Sequence, residues 1–169
     1  MGLTELAAEL VARLHADGLT IATAESCTGG MAAQYLTSVP GASDVFECGI
    51  VSYANRIKIQ ELSVSPDTLA RVGAVSRETA LEMARGVRNR AASSLGVSTT
   101  GIAGPGGGSP EKPVGTVHIA ACNGDCELHR QLSLNGTRQE IREAAVEQLF
   151  LLALELLGGR PSPDPIKKA

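Results

Sequence analysis

The chain has no tryptophan and few other aromatic residues, with two phenylalanines and two tyrosines among 169 residues. Its core must therefore be built mainly from leucine, valine, isoleucine and alanine. The formal charge of −3 comes from intermixed charges of both signs, and no basic stripe carries interleaved aromatic rings, so we predict no nucleic-acid partner. No apolar run is long enough to cross a bilayer, and the N-terminus lacks the charged and apolar regions of a secretory signal. These absences predict a cytoplasmic protein without a membrane partner.

Cysteine is scarce too, and the four cysteines of a chain without a secretory signal are expected to be free thiols. Cys122 and Cys126 flank the turn Asn123–Gly124, with His118 and His129 further out. This spacing matches no common zinc pattern, and hairpin strands would send the four side chains to different faces. We therefore predict no metal site.

Helical and strand-like patterns alternate along most of the chain. Leu6, Leu10 and Leu14, for example, recur at the four-residue spacing of one buried helix face. The order of these patterns predicts a three-layer α/β/α domain over residues 1–159, with a mixed sheet that includes one antiparallel hairpin, followed by a disordered tail over residues 160–169. Three predicted helices cover residues 4–16, closed by Gly18, residues 31–36, and residues 77–94, capped by Ser76 and closed by Gly96. Three more are a segment with Asn55 as N-cap, a short segment from Ser65–Pro66, and a segment from the capping box Thr137–Glu140 to Gly158–Gly159. The predicted strands cover residues 20–24, 46–53, 97–100, 114–122 and 126–134.

Glu25–Gly30 reads as a sharp strand-to-helix junction that carries several polar side chains. Unpaired N–H groups at a helix start attract anions and stabilise an oxyanion, and Gly29 and Gly30 let a ligand approach the backbone. Ser26 and Cys27 are both candidate nucleophiles, and the spacing alone does not choose between them. An ordinary capped helix start is an equally good interpretation of the same residues.

A lysine three residues after Asn55 is the candidate partner for such a nucleophile. Asn55 and Lys58 would share one face of a helix, although a solvated surface lysine is the commoner situation. None of the three histidines lies near the junction, so a Ser–Lys pair is the alternative to a Ser–His–Asp triad. The lysine would need to be partly neutral at pH 7, through burial or through a nearby cation such as Arg56 or Lys112.

A glycine-rich loop over residues 101–108 follows the predicted strand 97–100. Backbone N–H groups in such loops can wrap a phosphate, and ligands gather at the carboxyl ends of strands in α/β sheets. The loop lacks the Gly-Lys-Ser/Thr ending of a P-loop and the spacing of a dinucleotide fingerprint. A flexible loop without a ligand is the alternative.

Taken together, these segments resemble the nicotinamide-nucleotide amidohydrolase family, also known as the CinA C-terminal-domain family. The resemblance covers about Leu3 to Leu157. The stretches that carry it are 24–30, 52–58, 73–76, 100–105 with Gly107, 112–115, and Arg138 with Ile141–Arg142.

The resemblance implies hydrolysis of the carboxamide of nicotinamide mononucleotide to nicotinate mononucleotide and ammonia. It implies Ser26 as nucleophile and Lys58 as base, no metal or cofactor, and a homodimer or higher homo-oligomer. It further implies a pyridine-nucleotide site whose phosphate lies against the glycine-rich loop. The residues expected to bind substrate are Cys27, Thr28, Gly29, Gly30, Tyr53, Asn55, Thr100, Gly101, Ala103, Gly104, Gly107, Lys112, Arg138 and Arg142.

Two departures from the family pattern accompany the resemblance. Thr137 stands where relatives often carry aspartate, and here it is predicted to cap a helix. Many relatives also carry a large N-terminal molybdopterin-binding-like domain, so this chain is expected to be the stand-alone form. A non-catalytic nucleotide-binding or damage-response module that uses the same loops is the alternative to an enzyme.

Overall fold

A five-stranded mixed sheet in the order β2-β1-β3-β4-β5 organises the computed structural model, which describes residues 1–158. β1, β2 and β3 are parallel, whereas β4 is antiparallel to both β3 and β5, so the predicted mixed sheet with one hairpin is confirmed. The tail predicted over residues 160–169 lies outside the described residues. The strands are β1 (Ile21–Glu25), β2 (Phe46–Val51), β3 (Leu95–Gly101), β4 (Thr116–Cys122) and β5 (Glu127–Ser133).

Helices cover both faces of this sheet, which confirms the predicted three layers. One layer consists of α1, α2 and α6, and the other of α3, α4 and α5. No helix in the described part of the chain combines the length and the apolar character needed to cross a membrane. The helices are α1 (Leu3–Asp17), α2 (Met31–Thr37), α3 (Asn55–Leu62), α4 (Pro66–Val72), α5 (Arg77–Ala91) and α6 (Arg138–Leu156).

The alternation of side chains along the strands divides the core into two parts. Ile21 of β1 faces the α1–α6 layer, while its neighbour Ala22 faces α3 and α5. Leu6, Leu10 and Leu14 are all buried on the inner face of α1, as predicted. Most side chains of the core are aliphatic, which agrees with the composition; the buried exceptions among residues 1–158 are Phe150 and the sulfur-containing Cys27, Met83 and Cys122.

Four predicted helix ends are confirmed, among them the start of α4 at Ser65–Pro66, and two are wrong. Gly18 closes α1 in the left-handed conformation, Ser76 accepts a hydrogen bond from the Thr79 N–H, and Thr137 and Glu140 form the capping box of α6. Asn55, however, is the first residue of α3, and Ala54 precedes it without a side-chain cap. Gly96 does not close α5 but lies in β3, where a Cβ atom would overlap the carbonyl oxygen of Ala84.

Candidate active site at the carboxyl ends of two parallel strands

The neighbouring strands β1 and β2 run parallel, and the chain leaves them toward opposite faces of the sheet. β1 continues into α2, which packs with α1 and α6, whereas β2 continues into α3, which packs with α5. Such a divergence opens a crevice at the carboxyl ends of the two strands, the usual position of ligands in α/β sheets. The junction 25–30 follows β1 and the segment 52–58 follows β2, so this crevice brings two of the sequence motifs together.

Ser26 and Lys58 meet in this crevice. The Lys58 Nζ atom lies 3.1 Å from Ser26 Oγ, 2.7 Å from the carbonyl oxygen of Ser52 and 3.3 Å from that of Tyr53. Only 1% of Lys58 is exposed, whereas Ser26 is partly accessible. The lysine is therefore a buried member of the site and not the surface residue that its type alone would suggest.

The surroundings of Lys58 favour its neutral form. Burial lowers the pKa of the amine below the ordinary 10.5, against a smaller opposing influence of Cys27. Neither cation suggested by the sequence causes this lowering of the pKa: Arg56 is exposed, and Lys112 donates to the carbonyl oxygen of Val72 at 2.7 Å. A neutral amine has two N–H groups and one lone pair, and the two carbonyl oxygens can only accept. The lone pair is thus left for the hydroxyl hydrogen of Ser26, the arrangement of a general base.

The N-terminus of α2 is already occupied by an acidic side chain of the same chain. The buried Glu25 carboxylate accepts hydrogen bonds from the backbone N–H groups of Gly30, Ala32 and Ala33 at 3.2, 3.0 and 2.9 Å. It also accepts from the Thr28 hydroxyl at 2.6 Å. The expected anion site at this helix start is therefore filled by Glu25, a role that was missed because this residue precedes the helix by six positions.

Two backbone donors of the junction, the N–H groups of Cys27 and Thr28, have no acceptor in another residue within the described range 1–158. The Gly29 N–H donates to the Ser26 carbonyl oxygen at 3.1 Å, whereas the Thr28 N–H has no acceptor among the described residues. Arg142 of α6 holds the other side of this backbone, with Nε 3.1 Å from the Cys27 oxygen and Nη2 2.9 Å from the Thr28 oxygen. The N–H groups of Cys27 and Thr28 are thus both available for an oxyanion beside Ser26, and Arg142 holds the peptide group to which the Thr28 N–H belongs.

Cys27 points away from the crevice and into the main core. It is 5% exposed, and burial raises the pKa of its thiol to about 11. Such a thiol stays protonated near pH 7 and is a poor nucleophile. Of the two candidates that spacing left open, Ser26 is the one whose side chain contacts Lys58.

The glycine-rich loop 101–108 owes part of its glycine content to packing. A Cβ atom at Gly101 would lie 2.7 Å from the Thr116 oxygen, and one at Gly108 would lie 2.8 Å from the Val114 nitrogen. Gly106 faces open space, and Gly107 adopts a φ of 87°, so the tip of the loop leaves its backbone open to a ligand. The close approach of the loop to the start of β4 explains glycines that the sequence alone had suggested were ligand contacts.

Arg138 links this loop to the segment that follows β2. Its guanidinium donates to the Gly104 oxygen at 2.8 Å and to the Tyr53 hydroxyl at 3.1 Å. Tyr53 is 61% exposed, and its carbonyl group is one of the acceptors of Lys58. A run of hydrogen bonds therefore connects Gly104 of the loop through Arg138 to Tyr53, whose backbone contacts Lys58.

Four other residues proposed from the sequence make no hydrogen bond with Ser26 or Lys58 among the described residues. The Thr100 hydroxyl donates to the Ala74 oxygen at 2.8 Å on the α5 side of the sheet, and Ala103 is buried in the main core. Asn55 is exposed in the first turn of α3. Lys112 lines a separate cavity of about 470 Å³ beside the start of α5 and β4.

The two histidines considered for a metal site contact each other. His118 and His129 stack on each other and share a 2.9 Å hydrogen bond between Nδ1 and Nε2. Burial lowers the pKa of His118 to about 4. Within residues 1–158, no group of three or more histidine, cysteine, aspartate or glutamate side chains is close enough to hold a metal ion.

Comparisons with known proteins all point to the same family. The sequence model described as the CinA C-terminal domain matches residues 3–157. A protein of Caldanaerobacter subterraneus subsp. tengcongensis is 50% identical over 147 residues, which are 87% of this chain and 36% of that protein. The "CinA-like protein" of Anaeromyxobacter sp. (strain K) is 48% identical over 156 residues, which are 92% of this chain and 38% of that protein. This chain thus spans about a third of the length of the curated relatives it matches.

Solved structures of similar length match as well. The crystal structure of the competence/damage inducible protein CihA from Agrobacterium tumefaciens superposes with a TM-score of 0.89 at 44% identity, over 92% of this chain and 95% of that chain. A competence-damaged protein (CinA) superfamily structure from Escherichia coli gives a TM-score of 0.88 at 34% identity, over 91% and 90% of the two chains. The fold described above is therefore shared with these structures.

Proposed function

The chain belongs to the CinA C-terminal domain family, and from this membership and the chemistry of its crevice we propose that it is an amidohydrolase that deamidates nicotinamide mononucleotide. The products would be nicotinate mononucleotide and ammonia. The observation that carries the proposal is the 3.1 Å contact between Ser26 Oγ and a buried Lys58 whose remaining hydrogen-bond partners are acceptors only.

In the proposed acylation step, Ser26 Oγ attacks the carboxamide carbon and its proton passes to the lone pair of Lys58. The carbonyl oxygen takes up the negative charge and accepts a hydrogen bond from the Thr28 N–H. When the tetrahedral intermediate collapses, the carbon–nitrogen bond breaks and Lys58 returns the proton to the departing nitrogen, which leaves as ammonia. An ester between Ser26 and the nicotinoyl group remains.

In the proposed deacylation step, water attacks the ester carbon while Lys58 accepts one of its protons. The carbon–oxygen bond to Ser26 then breaks, and the proton goes to Ser26 Oγ, which restores the starting state. A site built from a serine, a lysine and backbone N–H groups needs no metal for this sequence.

Recognition of the nucleotide is assigned to the groups beside the pair. We propose that the phosphate is bound by the loop tip at Gly106–Gly107 together with Arg138, because the tip has open backbone and the arginine holds a neighbouring part of the same loop. A guanidinium and backbone N–H groups are a common combination for phosphate. The exposed ring of Tyr53 offers a surface for the pyridine.

The test is ammonia release by the purified chain with nicotinamide mononucleotide, nicotinamide riboside and glutamine as alternative substrates. We expect turnover of the first and a strong preference for it over the riboside, which lacks the phosphate. Ser26→Ala and Lys58→Ala should each lower kcat by at least about 10³-fold, whereas the exposed Ser43→Ala serves as a matched control with wild-type activity. Near-normal ammonia release by either site variant would contradict the proposal.

The alternative of a non-catalytic nucleotide-binding module makes a different prediction in the same experiment. Such a protein would bind nicotinamide mononucleotide in calorimetry, release no ammonia, and keep its affinity in Ser26→Ala. A homodimer or higher homo-oligomer is proposed from the family resemblance alone, and light scattering of the purified chain tests it.

A further inference from the structure

Arg142 was expected from the sequence to bind the substrate phosphate, but its contacts are with the backbone beside the nucleophile. Three of its nitrogen atoms are engaged: Nε with the Cys27 oxygen at 3.1 Å, Nη2 with the Thr28 oxygen at 2.9 Å, and Nη1 with Gln139 Oε1 at 3.1 Å. The arginine thus spans more than a hundred residues of sequence to hold two successive peptide groups. Such a bidentate hold fixes orientation as well as position.

Because the peptide group is planar, fixing its carbonyl oxygen also fixes the direction of its N–H group. The carbonyl oxygen of Cys27 and the N–H of Thr28 belong to one trans peptide group and point in opposite directions. Because Arg142 draws the oxygen toward α6, the Thr28 N–H points away from α6. α6 and α3 lie on opposite faces of the sheet, so that direction is the side on which α3 carries Lys58.

We propose that Arg142 is the positioning residue of the oxyanion site: by holding the Cys27 and Thr28 carbonyl groups, it aims the Thr28 N–H at the oxygen that becomes negative when Ser26 attacks. This inference rests on the proposed function. The neighbouring Gly29, with a φ of 61°, packs its backbone against the guanidinium, where a Cβ atom would lie 3.4 Å from Nη2. A positive charge on the carbonyl side also polarises the peptide and strengthens its N–H as a donor.

The steady-state test separates this role from that of a phosphate ligand. Arg142→Ala and Arg142→Lys should lower kcat by about 10²- to 10³-fold, as the loss of one oxyanion donor does, and leave KM for nicotinamide mononucleotide within about twofold. The matched control Arg90→Ala removes an exposed arginine of α5, which pairs with Glu61 of α3, and should keep both constants. A rise in KM with unchanged kcat, and loss of the preference for the nucleotide over the riboside, would overturn the proposal in favour of phosphate binding.

A second measurement does not depend on the substrate. A fluorophosphonate probe reacts with an activated serine: Ser26 Oγ forms a bond to phosphorus, fluoride leaves, the serine proton passes to Lys58, and the phosphonyl oxygen occupies the oxyanion site. We expect labelling of Ser26 to be slower by at least about tenfold in both Arg142 variants and unchanged in Arg90→Ala. Circular dichroism of each variant verifies folding, and Arg142→Lys, which keeps a cation at this position, supplies the comparison if Arg142→Ala does not fold.

Together, the two measurements distinguish a failure of this inference from a failure of the proposed function. Labelling that depends on Arg142, in a wild-type chain that does not hydrolyse nicotinamide mononucleotide, would refute the proposed substrate and support the role of the arginine. Labelling and turnover at wild-type rates in folded Arg142 variants would overturn the inference and leave the proposed function intact. A wild-type chain that neither labels nor turns over would refute both.

Discussion

Replacing Glu25 by glutamine keeps the size of the side chain but removes one of its two acceptor oxygens. In the native structure, Oε2 accepts from the Thr28 hydroxyl and from the N–H groups of Gly30 and Ala32, while Oε1 accepts from the Ala33 N–H. A glutamine that keeps its carbonyl oxygen in the first position must place its NH2 group against the Ala33 N–H. Two donors then face each other between the Glu25 position, which is 1% exposed, and the partly buried Ala33.

The expected cost follows from these contacts. Each buried donor left without an acceptor costs about 1–3 kcal/mol, so the Ala33 N–H and the new amide together cost about 2–6 kcal/mol. Removal of the negative charge at the start of α2 adds about 0.3–1 kcal/mol. Glu25→Gln should therefore lower the free energy of unfolding by about 3 kcal/mol or more, a large part of the stability of a domain of this size. Because the same carboxylate anchors the junction that carries Ser26, kcat should fall as well.

Urea denaturation monitored by circular dichroism measures this cost. Glu47→Gln, at an exposed position of β2, is the matched control and should change the free energy of unfolding by less than about 0.5 kcal/mol. If Glu25→Gln does not fold, Thr28→Val removes a single donor to the same carboxylate and should cost about 1–2 kcal/mol. A Glu25→Gln chain as stable as the control would refute the assignment of this carboxylate as the cap of α2.

Two further predictions concern the base and the packing of α5. The kcat/KM for ammonia release should rise with pH as Lys58 loses its proton. The midpoint of this rise should lie below 10.5, because burial lowers the pKa of Lys58. A kcat/KM that falls between pH 7 and pH 10 would contradict this prediction. Since the unfolded chain holds the Lys58 proton more tightly than the folded chain, the contribution of this group to the free energy of unfolding also rises with pH between its folded pKa and 10.5. Gly86→Ala should destabilise the protein by about 1–3 kcal/mol in urea denaturation, because the added Cβ would overlap the Leu62 carbonyl oxygen. In a helix without such a neighbour, the same change stabilises the helix. Asn89→Ala, at an exposed position of the same helix, is the control, and a stabilising Gly86→Ala would show that α3 and α5 do not approach this closely.

The layered fold was predictable because it depends on signals that act locally. Hydrophobic periodicity marked α1 and α6, the turn at Asn123–Gly124 marked the hairpin, and caps such as Ser76 marked helix starts. The error at Gly96 has a different origin. This glycine is required where β3 passes under the backbone of α5, and such a close approach between distant segments leaves no periodic signal.

The site was predictable in part, for the same reason. The motifs at Ser26 and Lys58 were found separately, but from the residues alone Lys58 looked like a surface lysine. Its burial depends on β1 and β2 being neighbours in the sheet, which is a property of the strand order. The contacts of Arg142 were beyond prediction, since they require α6 to lie beside the junction that follows β1. The sequence therefore placed Arg142 in the predicted site, but as a substrate-binding residue, which is a common role of an arginine near a nucleotide.

The surroundings of Lys58 suit both protonation states that the proposed role as a base requires. Burial disfavours the ammonium form, so the resting amine is driven toward neutrality. The carbonyl oxygens of Ser52 and Tyr53 act in the opposite direction, because they can accept from an ammonium group as readily as from an amine. In the proposed mechanism, once the proton of Ser26 has been taken up, the third N–H of the ammonium would point along the former lone pair, where the departing nitrogen can receive it. Two fixed acceptors and one reactive partner thus match the lysine before and after proton transfer without any change of rotamer, which a solvent-exposed lysine could not offer.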